Sequence, residues 1–241
     1  GGMACDYALS RWLSCVVVPV SSGAVTPTRR QVEIARDWGA VCVVGYGDQL
    51  VHWAAVAKEM GTDPGRDLAV KFLSVVSSRR RVEEAWGLPA YDWFGANEYG
   101  MISTECQEKD GLHIWEDAII AEVVDVDTNE PLEAGQKGDL VITALYKTGS
   151  PVIRFNTRDL TRIMPEERCR CGSYFKRMDH HLGRSDTMVK LRGVNVWPEH
   201  CGDVVRKDPR VTGEYFCYVE RVGSLPDLRD EMTVMVEHRQ G

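Results

Sequence analysis

Four side chains with metal-binding chemistry occur as two pairs along the chain. Cys106 and His113 have six residues between them, and Cys169 and Cys171 have one. Three thiolates and one imidazole form the Cys₃His set of closed, tetrahedral zinc sites, in which Zn–S distances are about 2.3 Å. A Cys-x-Cys pair cannot easily close a disulfide on itself, but both of its sulfurs can reach one metal ion. The spacing therefore predicts zinc; the alternatives are reduced, unliganded thiols, with His180-His181 as a competing source of ligands.

A carboxylate follows a strand-like stretch within residues 91–100. The stretch ends in a glycine-containing turn, and Glu98 lies just beyond it. Ligands of open α/β sheets bind at the carboxyl ends of the strands, and glycines let a ligand approach the backbone. Glu98 could therefore hold Mg²⁺ as an oxygen ligand. The alternative is a solvated glutamate in a surface turn.

Another carboxylate, Asp159, lies between apolar residues in residues 151–161. Burying a carboxylate is costly unless it gains hydrogen-bonding partners. The two ribose hydroxyls of a nucleotide would supply such partners, and an ion pair with Arg154 or Arg158 is the alternative. In residues 183–198, charged residues alternate with apolar ones between glycines, which by itself is typical of an exposed edge strand.

The elements that must position these residues alternate in type over the first part of the chain. Strands separated by helices of this length favour a parallel α/β sheet. The predicted strands cover residues 15–20, 40–44, 68–76 and 89–94, and the predicted helices cover 28–38, 49–60 and 79–86.

The pattern changes near residue 111 to strands joined by turns, which predicts an antiparallel β region added to the α/β core. Those strands cover residues 113–116, 119–126 and 139–145. A boundary near Gly183 divides the chain into residues 1–185 and residues 186–241. The second part is predicted as a small α+β domain, with strands at 188–192, 214–220 and 232–237 and a helix beginning at Pro198.

Composition excludes several classes of protein. The chain has 241 residues, of which 44% are hydrophobic and 27% charged, the range of ordinary globular proteins. A net charge of −7 makes a broad basic surface for nucleic acid an unexpected feature. No apolar run approaches the roughly 18 residues of a membrane span. The opening residues carry no export signal, so we expect a cytoplasmic protein with reduced cysteines.

In their order along the chain, these segments resemble the adenylate-forming superfamily, and most closely the phenylacetate–CoA ligase family with its aryl-CoA relatives. The resemblance runs from about Cys15 to about Glu237. The turn motif of the family, tyrosine–glycine–x–threonine–glutamate, is matched at residues 94–98, with Phe94 for the tyrosine and Asn97 for the threonine. The segments that carry the match are 17–23 with 29–31, 84–98, 153–161 and 183–198.

The resemblance implies a large α/β core with an added antiparallel β region, followed by the start of a mobile C-terminal lid. It implies ATP-dependent ligation of a carboxylate, phenylacetate or another aryl acid, to coenzyme A through an acyl-adenylate and release of pyrophosphate. Homodimerisation is a further expectation, and no nucleic acid or membrane partner is expected. The quartet of cysteines and histidine resembles a zinc site of some of these ligases, which implies a structural role because four protein ligands leave no open position.

The resemblance also assigns roles to single residues. Glu98 would ligate Mg²⁺, and Lys190 would take part in catalysis with Gly193, which serves thioester formation. Asp186 would be the hinge of the lid. The nucleotide would be bound by Phe94, Gly95, Ala96, Asn97, Asp159 and Arg184.

Three parts of the family pattern are missing from these 241 residues. There is no glycine- and serine-rich phosphate loop ending in lysine, no Gly-Ala-Glu loop after Val76, and no distal lysine before Gly241. We expect them in a longer polypeptide, so that these residues alone do not adenylate. The alternatives are a truncated or degenerate relative that binds a nucleotide or partner without catalysis, a ligase that loads a carrier protein, and a purely structural zinc module.

Overall fold

The computed structural model describes residues 10–11, 14–21, 25–191, 194–205, 207–225 and 227–238. It divides the chain into two compact units, Gly1–Gly183 and Arg184–Gly241. No helix in these described ranges is long and apolar enough to cross a membrane.

The first unit begins with parallel strands that alternate with helices. Trp53 and Trp86 stack at 4.7 Å between ring centroids, and Leu73 and Val75 are fully buried in the same core. The elements in chain order are α1 (Thr28–Asp37), β1 (Cys42–Tyr46), α2 (Gly47–Glu59), β2 (Phe72–Val76), α3 (Arg79–Trp86) and β3 (Ala90–Ala96). Strands β1, β2 and β3 pair in parallel, as the alternation predicts.

Beyond β3 the chain becomes antiparallel and builds a further sheet. The elements are β4 (Gly100–Glu105), β5 (Leu112–Ile114), β6 (Ile119–Val124), β7 (Gly138–Ala144), β8 (Phe155–Thr161) and β9 (Arg177–Met178). One sheet has the order β1-β2-β3-β4-β5-β9, and the other has the order β6-β7-β8. The predicted α/β class with an added antiparallel region is confirmed.

Apolar side chains of both sheets meet in one buried cluster. Ile102 and Ile114 come from the six-stranded sheet, and Leu140 and Ile142 come from the three-stranded sheet. All four are almost completely inaccessible to water. Because this core joins the sheets, it fixes the turn after β3 relative to β8, the two places where carboxylates of functional interest are predicted.

The second unit is a small α+β structure. Its elements are β10 (Val189–Leu191), β11 (Val194–Val196), α4 (Pro198–Val205), β12 (Val211–Val222) and β13 (Arg229–His238). β10 pairs with β11 and β12 with β13, both antiparallel. Helix α4 approaches β12 closely, since a Cβ added at Gly202 would lie 2.6 Å from the ring of Tyr215.

The prediction of a buried strand at residues 15–20 is wrong. These residues form no regular secondary structure, and Val16 is 80% exposed. No strand of the described ranges pairs with them. An apolar run is stable as a buried strand only where a neighbouring strand accepts its backbone hydrogen bonds, and no strand in the described part of the chain does so for residues 15–20.

Candidate functional site

The four predicted metal ligands lie together in the first unit. Their sulfur and nitrogen atoms are all within 4.8 Å of one another. Cys106 Sγ lies 3.7 Å from Cys169 Sγ, and Cys171 Sγ lies 3.5 Å from His113 Nε2. A tetrahedral zinc ion with Zn–S of about 2.3 Å and Zn–N of about 2.0–2.1 Å has edges of about 3.8 Å and 3.5 Å. The sulfurs are too far apart for a disulfide, whose S–S bond is about 2.05 Å.

Two adjacent strands and one tight loop position the quartet. Cys106 directly follows β4, and His113 lies in the middle of β5, opposite Thr104 of β4. Cys169 and Cys171 lie in the loop before β9, where the Gly172 N–H donates to the Cys169 carbonyl at 2.8 Å. Gly172 has a φ of +93°, a conformation that favours glycine.

The side chains of the quartet are buried to different degrees, and their polar atoms face one another. The Nδ1 atom of His113 is buried without a hydrogen-bond partner in the described structure, and Nε2 faces the sulfurs. Burial raises the pKa of the Cys106 thiol to about 11. The backbone N–H of Cys171 holds the pKa of the Cys169 thiol below its ordinary value. A cation would offset the cost of gathering three thiolates.

The motif at residues 94–98 forms the end of β3 and the turn into β4. Phe94, Gly95 and Ala96 belong to β3, and Asn97 and Glu98 are exposed in the turn. The end of β3 requires glycine, since a Cβ at Gly95 would lie 2.4 Å from the Gly100 carbonyl oxygen. Lys147 donates a hydrogen bond from its ammonium group to the backbone carbonyl of Glu98. This contact does not involve the side-chain carboxylate of Glu98, which is exposed.

Asp159 lies in β8 with its carboxylate 16% exposed, and its Oδ1 is 3.1 Å from His181 Nε2. The two arginines proposed as ion-pair partners contact other carboxylates. Arg154 lies 3.2 Å from Glu122, and Arg158 lies 3.3 Å from the fully buried Asp139.

Aromatic rings connect the turn after β3 to the start of β8. The ring centroid of Tyr99 lies 6.4 Å from that of Phe94 and 6.1 Å from that of Phe155. Tyr146 donates from its hydroxyl to the Tyr99 carbonyl at 2.6 Å. The structure thus brings together the two motifs of the first unit that carry Glu98 and Asp159.

A buried charge network supports β3 and is absent from the sequence-based predictions. Glu105 accepts from the backbone N–H of Asp92 at 2.7 Å and contacts His180 Nε2 at 2.8 Å and Arg79 Nε at 3.4 Å. Burial raises the pKa of Asp92. Burial also opposes ionisation of Glu105, but hydrogen bonds from His180 and the Asp92 N–H outweigh it, so the pKa of Glu105 is lowered. The hydrogen bond with Glu105 raises the pKa of His180.

The remaining predicted site residues belong to the second unit. Arg184 forms a bidentate pair with Asp186, at 2.7 Å to Oδ1 and 2.9 Å to Oδ2, which lowers the pKa of Asp186. Lys190 lies in β10 opposite Asn195 of β11 and is exposed. Gly193 lies outside the described residues.

The sequence of the chain is similar to that of curated proteins from one family. The chain is 36% identical to a phenylacetate-coenzyme A ligase of Thermus thermophilus, over 93% of the chain and 51% of that protein. It is 34% identical to the phenylacetate-coenzyme A ligase of Pseudomonas putida, over 99% of the chain and 54% of that protein. This chain is a relative of the phenylacetate–CoA ligases. It spans about half the length of these curated relatives, and no family model matches it.

Among solved structures, this relative of the phenylacetate–CoA ligases is similar to 2-hydroxyisobutyryl-CoA ligase in complex with 2-HIB-AMP and CoA. The TM-score is 0.78 at 27% identity, over 92% of this chain and 48% of that one. The adenylate-forming fold implied by the motif order is therefore confirmed.

Proposed function

We propose that this chain forms part of an ATP-dependent acid–CoA ligase acting on phenylacetate or another aryl acid. In the first step a carboxylate attacks the α-phosphate of ATP to give an acyl-adenylate and pyrophosphate. In the second step the thiol of coenzyme A displaces AMP. The observation that carries the proposal is the 32–36% identity to phenylacetate–CoA ligases over nearly the whole chain.

In this proposal the first unit holds the nucleotide. Phe94, Gly95, Ala96 and Asn97 line its binding place, and Glu98 ligates Mg²⁺. The position of the turn at the carboxyl end of β3, where ligands of α/β sheets bind, supports this assignment. Asp159 accepts hydrogen bonds from the ribose hydroxyls, and the ring contacts between Phe94, Tyr99 and Phe155 support a common site.

The second unit would act in the thioester-forming step as the start of a mobile lid. In this assignment residues 1–185 form the core and residues 186–241 the lid, with Asp186 as the hinge. Arg184 would bind the nucleotide, and Lys190 and Gly193 would serve thioester formation. The division of the chain into two compact units at Gly183 supports this assignment.

We also propose that the quartet of Cys106, His113, Cys169 and Cys171 holds a structural zinc ion. The interatomic distances of 3.7 Å and 3.5 Å match the edges of a zinc tetrahedron, and Nε2 is the His113 atom that lies beside a cysteine sulfur. The ion would fix the loop before β9 to β4 and β5. Four protein ligands would leave it no open coordination position for chemistry.

One internal feature favours a second candidate, a degenerate relative that binds a nucleotide without turnover. Strand β2 ends at Val76 and helix α3 begins at Arg79, so only Ser77 and Ser78 connect them. Both serines have positive φ values, 61° and 56°. This connection leaves no room for the adenine-contacting Gly-Ala-Glu loop of the family.

The deciding experiment uses the full polypeptide, because these 241 residues alone are not expected to adenylate. It measures acid-dependent release of pyrophosphate from ATP, followed by formation of the acyl-CoA. Phenylacetate, benzoate and an aliphatic acid would be compared, with Glu98→Gln and Asp159→Asn as variants. The ligase proposal expects release with an aryl acid and a loss of at least about tenfold in each variant. ATP binding without pyrophosphate release from any acid would instead establish the degenerate relative.

A further inference from the structure

Two consecutive histidines contact carboxylates that belong to different sheets. His180 Nε2 lies 2.8 Å from Glu105 Oε1, on β4 of the six-stranded sheet. His181 Nε2 lies 3.1 Å from Asp159 Oδ1, on β8 of the three-stranded sheet. The segment that carries them therefore joins the buried charge network beside β3 to the carboxylate of β8.

Backbone hydrogen bonds hold this segment along β8. The N–H of Asp179 donates to the Arg162 carbonyl at 2.9 Å, and the N–H of Leu182 donates to the Leu160 carbonyl at 2.8 Å. In the other direction, the N–H of Leu160 donates a hydrogen bond of 2.8 Å to the Gly183 carbonyl. The side chains of His180 and His181 then contact carboxylates of different sheets, Glu105 and Asp159.

The carboxylates that the two histidines contact differ in burial, which suits the histidines to different tasks. His180 contacts a carboxylate with no exposed surface, and its side chain is 32% exposed. His181 is 41% exposed, and Asp159 is 16% exposed. The contact of His180 with the buried Glu105 holds the segment in place. His181 therefore contacts Asp159 from a fixed position, and this second pair is partly exposed to solvent.

We propose that His181 is a positioning residue for nucleotide binding. With its proton on Nε2, it donates to Oδ1 of Asp159 and holds the carboxylate plane in one orientation. A carboxylate oxygen has two lone pairs, so Oδ1 and Oδ2 can still accept bonds from the 2′ and 3′ hydroxyls of a ribose. This inference rests on the proposed function, in which Asp159 binds the ribose of ATP.

The test compares three variants of the full polypeptide with the wild type. His181→Leu removes the donor, His181→Gln keeps an N–H donor near the Nε2 position, and His52→Leu is the matched control on helix α2. The KM for ATP, kcat and the preference for ATP over 2′,3′-dideoxy-ATP are measured by acid-dependent release of pyrophosphate. The preference is a ratio within one variant, so it does not depend on the fraction of folded protein.

We expect His181→Leu to raise the KM for ATP about tenfold and to lower the preference for the intact ribose similarly, because hydrogen bonds to charged groups are strong. The kcat should stay within about twofold, since the bond is the same in ground and transition states. His181→Gln should recover most of the KM effect, and His52→Leu should behave as the wild type.

Two results would overturn the role of His181. One is an unchanged KM and an unchanged ribose preference in His181→Leu. The other is a rise in the KM for ATP in His181→Gln as large as that in His181→Leu. The imidazole ring would then contribute by filling space and not by donating a hydrogen bond. Failure of the proposed function is recognised separately, because the wild type itself would then release no pyrophosphate with any acid, and the positioning role would be rejected with it.

Discussion

Single carboxylates in the first unit are held by partners from distant parts of the chain. Glu105 receives a hydrogen bond from Asp92 and contacts His180, which is 75 residues away in sequence. Asp139 is fully buried and accepts from Asn156 at 2.9 Å and from Arg158 at 3.3 Å. Such buried carboxylates stabilise a fold only with all their partners in place. The lowered pKa of Glu105 therefore depends on His180 and the Asp92 N–H remaining in place.

The pair of His180 and Glu105 should make stability depend on pH. Because the pKa of His180 is raised on folding, the stabilisation is complete below the unfolded-state pKa of about 6.5 and is lost as pH rises through the folded-state pKa. We expect the free energy of unfolding of His180→Gln, measured in urea, to fall further below wild type at about pH 5.5 than at about pH 9. Equal differences at both pH values would contradict this account.

The end of β3, just before the turn into β4, should not tolerate a side chain at Gly95. A Cβ at Gly95 would meet the Gly100 carbonyl oxygen at 2.4 Å, and a backbone atom cannot move aside easily. We expect Gly95→Ala to cost about 1–3 kcal/mol of unfolding free energy. The control is Gly149→Ala, since a Cβ there has nothing within 4 Å and should change stability little. A Gly95→Ala variant as stable as this control would contradict the expected clash.

At the scale of elements, the quartet of Cys106, His113, Cys169 and Cys171 should, as the proposed zinc site, fix the loop before β9 to β4 and β5. We expect about one zinc ion per chain by elemental analysis of the wild type and far less in Cys169→Ser. Loss of the ion should cost about 3 kcal/mol, or about 6–12 °C in Tm for a chain of this size. Cys201→Ser, on helix α4 of the second unit, is the control. A chelator that leaves the Tm of the wild type unchanged would argue against a structural metal.

Sequence patterns locate elements whose stability is local. The helix predicted at residues 79–86 is observed as α3, because its apolar positions repeat on one face that packs against the core. The network of Glu105, Asp92 and His180 could not be predicted, since its members are far apart in sequence and meet only through sheet pairing. Strand β4 was also missed, and its burial does not alternate, since the consecutive residues Ile102 and Ser103 are both buried. The failed strand at residues 15–20 shows that an apolar run does not specify its partner.

In the molecule as a whole, the two compact units carry different parts of the proposed chemistry. Glu98 and Asp159 belong to the first unit, and Arg184, Asp186 and Lys190 belong to the second. If Glu98 and Asp159 serve adenylate formation and Lys190 serves the transfer to coenzyme A, the two half-reactions should respond to different substitutions. A change that slows only one step identifies the unit responsible for that step.

Replacing Lys190 gives the clearest test of whether adenylate formation and transfer to coenzyme A depend on different residues. It is exposed in β10, opposite Asn195, so its replacement removes one charge without disturbing a core. We expect Lys190→Ala to lower the rate of acyl-CoA formation by about tenfold or more while acid-dependent exchange between ATP and pyrophosphate stays within about twofold. Lys207→Ala, an exposed lysine of the same unit outside β10, should leave both rates unchanged. Equal losses in both half-reactions would place Lys190 in adenylation and would remove the support for a lid that serves only the thioester step.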